Sequence, residues 1–269
     1  MTNVYGYNRK TLEEDSYIME AVRKHHEIVE SHGFVVVMTS LIGSQNYDLD
    51  TKTSDIDTYS LILPSLSDLY KAEPAKAGII FTKDGHCNYK DVRVALNLLY
   101  KTSPNSVEIF TSKYKVYNPI FASILDKYID DNTKLWDMIH CNYKHMLYAM
   151  AGMAHQLTKR NMPPGKCFSH ALRLDDMYYH FMNSVNANAI IDMRPGGDRD
   201  LALIAKEDTN PDNNEKYLKE CKEIAGWLDN IKNNFKLTKE QEETQKRGSE
   251  LIDNFQSELF KKYLEEVNK

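Results

Sequence analysis

The chain has 269 residues, of which 42% are hydrophobic and 27% charged, with a formal net charge of −5. That is enough apolar material for one large or two ordinary folded domains, and it excludes a disordered chain and a globally basic nucleic-acid binder. Any nucleic-acid contact has to be local. No apolar run approaches the ~20 residues of a bilayer span, and the N-terminal MTNVYGYNRK lacks the apolar core of a signal peptide. The expectation is a cytoplasmic protein with no membrane partner. Cys87, Cys141, Cys167 and Cys221 are too far apart for a C-x-x-C motif and too few for a disulfide framework, so they read as reduced and structural.

Thr11 followed by Glu14 is a capping box, and Ile18, Val22, Ile28 and Val29 recur at roughly helical spacing, which predicts a helix over Leu12 to Ser31. His25 and His26 within it read as structural. Gly33 ends that helix, and FVVVMTSLI (Phe34 to Ile42) is short, β-branched and apolar, as in a strand buried on both faces. DIDTYSLILP (Asp55 to Pro64) is again strand-like. SLSDLYKA predicts a short helix, AGIIFTKDG and CNYKDVRV a hairpin or two short strands, and VALNLLYKTS a helix before Pro104. From about Ile129 the pattern turns helical, with Tyr143, Leu147, Met150, Ala154 and Leu157 at spacings of three and four. Beyond Asn210 the chain is rich in Lys, Glu and Asn around Leu218, Ile224, Leu228 and Ile231, and the charge run favours a solvated helical cap over a helix pair offered to a partner. The organisation expected is therefore a mixed region over residues 1–128 and a helical region over 129–269.

The stretch LIGSQNYDLDTKTSDIDTYSLILP carries the chemistry. In a strand Asp55, Asp57 and Tyr59 share one face while Ile56, Thr58 and Ser60 share the other, which brings two carboxylates about 7 Å apart. Unpaired, they repel; a divalent cation such as magnesium removes that cost. The Gly43-Ser44 turn adds a place where backbone and hydroxyl can approach phosphate oxygens. Metal beside a phosphate-binding turn is what nucleotidyl transfer requires. A lone Asp-x-Asp is more often a polar turn leading into a strand, so the weight rests on the combination.

A glycine-serine turn at a strand end, ten residues, and then Asp-x-Asp on the next strand resembles the DNA polymerase beta-type nucleotidyltransferase superfamily. GSQNYDLDTKTSDIDTYSLILP, KDVRVALNLLYKTSPNSVEIF and CFSHALRLDDMYYHF look like its RNA-repair-pathway DNA polymerase beta family, with members in bacteria and tailed phages. The resemblance spans about Phe34 to Lys206 and leaves the last 60 or so residues unmatched. It implies an α+β fold, a small mixed nucleotidyltransferase sheet flanked by helices and followed by a helical region. The implied reaction moves an NMP from an NTP to an acceptor hydroxyl, with Mg2+ (two ions, Mn2+ as a substitute) as cofactor. The acceptor it favours is an RNA end, particularly of tRNA; a protein side chain and a small molecule remain open, as does a non-catalytic nucleotide-binding module. The resemblance also implies a third carboxylate on a later strand. Asp91 in YKDVRV is the choice, as metal ligand and proton acceptor, with Glu108 and Asp84 as rivals; Glu108 alternatively pairs structurally with an arginine.

If GKCFSHALRLDDMYYHF is helical, Lys166, His170 and Arg173 fall at i, i+4 and i+7 on one face, and three potentially cationic groups suit a triphosphate. An ordinary polar face is the competing reading. Lys159, Arg160 and Lys166 make a small basic patch sufficient for an RNA end. DMRPGGDRDL is a turn bearing Arg194 and Arg199 that approaches nucleotide or acceptor, or else is a solvated loop.

Overall fold

The computed structural model describes residues 10–193 and 197–267. Helix α1 (Leu12–Ser31) begins where the capping box closes: the Thr11 hydroxyl accepts the Glu14 N–H, and the Glu14 carboxylate accepts the Thr11 N–H. Two donors that a helix start otherwise leaves unpaired are thereby satisfied.

Five strands follow, β1 (Val35–Ile42), β2 (Ile56–Leu63), β3 (Ala77–Phe81), β4 (Gly85–Asp91) and β5 (Lys115–Tyr117), in a mixed sheet of order β3-β4-β2-β1-β5. β1 runs antiparallel to β2 and β5, β3 antiparallel to β4, and β2 parallel to β4. The short helix α2 (Leu66–Tyr70) and β3 make the crossover that lets β2 and β4 run the same way. The apolar run of β1 is buried except at its ends, as a central strand should be.

One face of the sheet is covered by α1. Ile18, Ala21 and Val22 pack on Leu41, Ile56 and Tyr114, and Val29 packs on Val36, Ile62 and Cys87. His25 and His26 are buried in that layer, each with Nδ1 3.0 Å from a threonine hydroxyl, of Thr58 and Thr39 respectively. Burial lowers both imidazole pKa values. They are structural residues, as read from the sequence.

On the other face Val37, Met38, Leu61 and Leu63 meet α3 (Val92–Lys101) and α4 (Pro104–Thr111). The same apolar cluster continues without a break through α5 (Ala122–Tyr128), α6 (Asn132–Ile139), α7 (Tyr143–Leu157), α8 (Pro164–Asn183), α9 (Asp198–Glu207), α10 (Asn214–Asn234) and α11 (Lys239–Val267). The mixed and helical regions thus share one core, and helix already begins at Ala122 rather than near Ile129.

All five residues of the predicted stripe on α7 are buried. On α10 the buried seam is Tyr217, Cys221, Ala225 and Leu228, turned slightly from the expected one because small side chains admit close packing against α7 and α8. α11 lies on α3, α5 and α6, tied down by the Arg247 guanidinium on Asp137 at 2.8 and 3.1 Å. The C-terminal segment is a cap on the core. The four cysteines are buried and free, and among the described residues no helix is long and apolar enough to cross a membrane.

Candidate functional site

A row of side chains crosses four strands on the face away from α1. Register pairs Ile42 with Asp57, Asp57 with His86, and His86 with Phe81. Directly opposed residues share a face, so Asp57 stands beside the end of β1, where Gly43 turns the chain. Asp57 and Tyr59 are half-buried while Ile56, Thr58 and Ser60 are buried, which is the alternation expected of this strand. Asp55 lies just before β2 and is exposed.

Gly43 has φ +78° and ψ −158°, a conformation open essentially to glycine alone. A Cβ there would lie 3.5 Å from Asp57 Oδ2, an ordinary contact. Glycine is therefore required by the backbone angle rather than by lack of space. The Gly43 N–H donates to Glu108 Oε1 at 2.5 Å, so that N–H is already taken.

α4 holds this turn from beneath. Besides Glu108, Ser112 donates its hydroxyl to Asn46 Oδ1 at 2.8 Å. Glu108 is buried; burial raises its pKa, and the Arg173 charge and the Gly43 N–H oppose the rise. The Arg173 guanidinium sits 4.4 Å from the centroid of the buried Tyr47 ring. Burial, then the Glu108 charge, pushes the Tyr47 phenol well above its usual range. Glu108 thus anchors the turn through Gly43 and feels the Arg173 charge.

Arg173 stands on α8 with Lys166 and His170, as the spacing predicts. A Cβ on Gly165 would fall 1.9 Å from the Ala205 carbonyl oxygen, so glycine there allows the α9 backbone to press against α8. That approach brings Lys206 close enough to Lys166 for its pKa to be lowered, by burial first and by Lys166 second. Lys206 Nζ donates to the Leu49 carbonyl at 2.6 Å in the loop between β1 and β2. Lys10 grips the same loop, donating to Gln45 Oε1 at 3.1 Å and to Asp50 Oδ1 at 2.5 Å.

His170 departs from expectation. Burial, reinforced by Arg173, Lys166, Lys206 and Arg160, lowers its pKa to about 3. It is neutral at ordinary pH, so the positive charge comes from Lys166, Arg173, Lys206 and Arg160. Asn105, Arg160, His170 and Arg173 line a cavity of about 130 Å³, together with Met153, Leu157 and Leu174.

Asp91 does not join the pair. It is five positions beyond His86 along β4, about 16 Å at strand rise. Its buried carboxylate caps α3, accepting the Arg93 N–H at 2.9 Å and the Arg93 guanidinium at 2.7 and 3.0 Å. The run CNYKDVRV therefore turns from strand to helix at Asp91. Asp84 is exposed in the β3–β4 turn, where its charge reaches His25. The position opposite Asp57 on β4 is His86, whose Nδ1 is 2.7 Å from Asp57 Oδ1. Arg199 is mostly buried, with Nε 3.6 Å from Asp200 Oδ1; Arg194, Pro195 and Gly196 lie outside the described residues. Lys159 and Arg160 are exposed beyond α7.

Burial raises the Asp57 pKa, the nearby Asp55 charge adds to the rise, and His86 and Lys166 oppose it. Asp57 Oδ1 is the ion-pair partner of His86 Nδ1, and the Asp57 carboxylate together with that of Asp55 two residues earlier offers oxygen ligands that fit one divalent cation. Among the described residues no three His, Cys, Asp or Glu side chains are grouped to hold a metal, so the other ligands would be phosphate oxygens and water, as is common for magnesium. The three-carboxylate set for two ions does not fit.

His86 and Lys206 were not legible as site residues: a lone histidine in GHCNYKD and a lone lysine ending LALIAK carry no motif. No family model matches the chain, and no curated protein matches it.

Proposed function

We propose that the chain is a nucleotidyltransferase that moves an NMP from an NTP to an acceptor hydroxyl, an RNA end being the favoured acceptor. The observation that carries the reading is the place of Asp57: its register partner is Ile42 at the end of β1, its carboxylate stands beside Gly43, and Asp55 precedes it by two residues, with the Lys166 charge of the cationic strip acting on it. Arg173, which suits paired hydrogen bonds to phosphate oxygens, and Lys166 receive the β- and γ-phosphates. His170, neutral, offers a hydrogen bond there rather than a charge. Ser44 meets the phosphate nearest the aspartates. A divalent cation held by Asp55 and Asp57 would polarise the α-phosphate and neutralise the leaving diphosphate.

A second reading is a nucleotide-binding module without turnover. It is favoured by one observation, that His86 rather than a carboxylate stands opposite Asp57. Incubation with each α-labelled NTP, Mg2+ or Mn2+, and total RNA or total protein separates the two. Label in RNA supports transfer to RNA, and label in protein moves the acceptor. NTP binding without label transfer or diphosphate release leaves the binding module. Asp55→Asn with Asp57→Asn should abolish transfer and leave thermal stability of the metal-free protein unchanged or higher, because repulsion and desolvation are relieved. Full turnover in that double variant would remove the cation assignment.

A further inference from the structure

The row through Asp57 does not stop at His86. Phe81 on β3 faces His86, with ring centroids 6.3 Å apart, and is 82% exposed. Two residues earlier on the same face Ile79 is 53% exposed, opposite Asn88. Next along β4 on that face Lys90 lies over the Tyr59 ring, Nζ 5.8 Å from its centroid. Lys83, in the turn after Phe81, is exposed as well. β3 is the edge strand. The sheet face thus runs from half-buried Asp57 to an open platform of aromatic and aliphatic surface flanked by an amide and two lysines.

From this continuity we infer that the β3–β4 face is the acceptor seat, and that the acceptor it takes is an unpaired nucleic-acid end whose base stacks on Phe81. The inference rests on the aspartate site being a transfer centre. Every base has a flat π-face that an exposed aromatic ring can bind without regard to sequence, and lysines beside it meet the phosphates. Phe81 is two strand spacings from Asp57, about 10 Å, so a stacked terminal nucleotide brings its ribose hydroxyl toward the carboxylates. A chain with net charge −5 lacks the broad positive field that duplex binding draws on. A short, stacking-dominated footprint suits it better. Edge-strand pairing with a second copy through β3 is the rival use of the same surface.

The test uses the full chain and a fluorescein-labelled, mixed-sequence, short single-stranded RNA, followed by anisotropy in EDTA so that no transfer occurs. Phe81→Ala should weaken binding about tenfold, the effect of losing one stacked base. Lys90→Ala should reduce affinity and flatten its salt dependence. Tyr148→Ala, which removes an exposed aromatic from the helical region, should change nothing, and the same RNA annealed to its complement should compete poorly. ATP affinity, measured by calorimetry with Mg2+, should be the same in Phe81→Ala as in wild type. Equal RNA affinity in wild type and Phe81→Ala, absence of single-strand binding, or preference for duplex overturns the seat. So does a dimer that Phe81→Ala converts to monomer while RNA binding stays intact. Intact Phe81-dependent binding with no ATP binding or label transfer overturns the transfer reading and leaves the platform standing.

Discussion

At the β1 end of the row through Asp57, the turn is held by polar contacts from the α4 segment, Gly43 on Glu108 and Asn46 on Ser112, with Arg173 over the Tyr47 ring. At the β3 end, Phe81 and Ile79 stand 82% and 53% exposed on an edge strand. Both ends carry potential ligand-binding groups, and the difference lies in what determines their geometry. The first is pre-organised by protein contacts, which is what the proposed phosphate-binding role requires. The second leaves its apolar surface to be covered by something else.

The largest effect is expected from breaking the closed end. Glu108→Ala removes the acceptor of the Gly43 N–H and leaves a cavity where a buried side chain stood. An unsatisfied buried donor costs about 1–3 kcal/mol; with the cavity added and relief of the buried charge opposing it, about 2–3 kcal/mol is expected in urea unfolding. A loss under about 0.5 kcal/mol, the level of an ordinary surface change, would mean that Glu108 does not hold the turn.

Gly43→Val forces a β-branched residue to φ +78° and ψ −158°, which should cost about 1–3 kcal/mol and weaken NTP binding more than metal binding. Calorimetry separates the two. Unchanged NTP affinity would make the turn purely structural. Arg173→Ala should raise KM for NTP by about tenfold or more, a charge-assisted bond being lost, with KM for the acceptor nearly unchanged. Equal rises in both would place Arg173 outside phosphate binding.

A comparable effect follows from pH. His170 has a folded pKa of about 3, below the unfolded value near 6.5. The stability it contributes is present above about pH 6.5 and is lost as pH falls from there toward 3. His25 and His26, also lowered by burial, act in the same direction. Glu108 and Asp57, raised by burial, act in the opposite one, because their cost disappears as they protonate. Between pH 7 and 5 the His170 contribution to the loss is about 2 kcal/mol, and His170→Gln should flatten the slope. Identical slopes in variant and wild type would mean that the imidazole is not held neutral. The smallest effect belongs to the open end, where Phe81→Ala should shift thermal stability negligibly whatever it does to RNA.

Local patterns carried much of the fold. Thr11 with Glu14, the apolar run of β1, the alternation around Asp57 and the stripe on α7 are each set by neighbours within a few residues, where backbone hydrogen bonding and side-chain periodicity act directly. The sequence by itself therefore brought Asp57 next to the Gly43 turn and put Lys166, His170 and Arg173 on one helix face. Only the tertiary structure decided what those residues meet. Asp91 looked like a strand carboxylate but caps α3, because register moves it five positions from the residue opposite Asp57. Glu108, in an apolar run, reaches back 65 residues to the Gly43 N–H. His170 loses its charge through burial among cations that come from α8, α9 and the α7–α8 connection, and His86 and Lys206 enter the site through strand register and through the close approach at Gly165. Charge state and partnership depend on desolvation and on distances between segments far apart in sequence, and spacing along the chain carries no record of either.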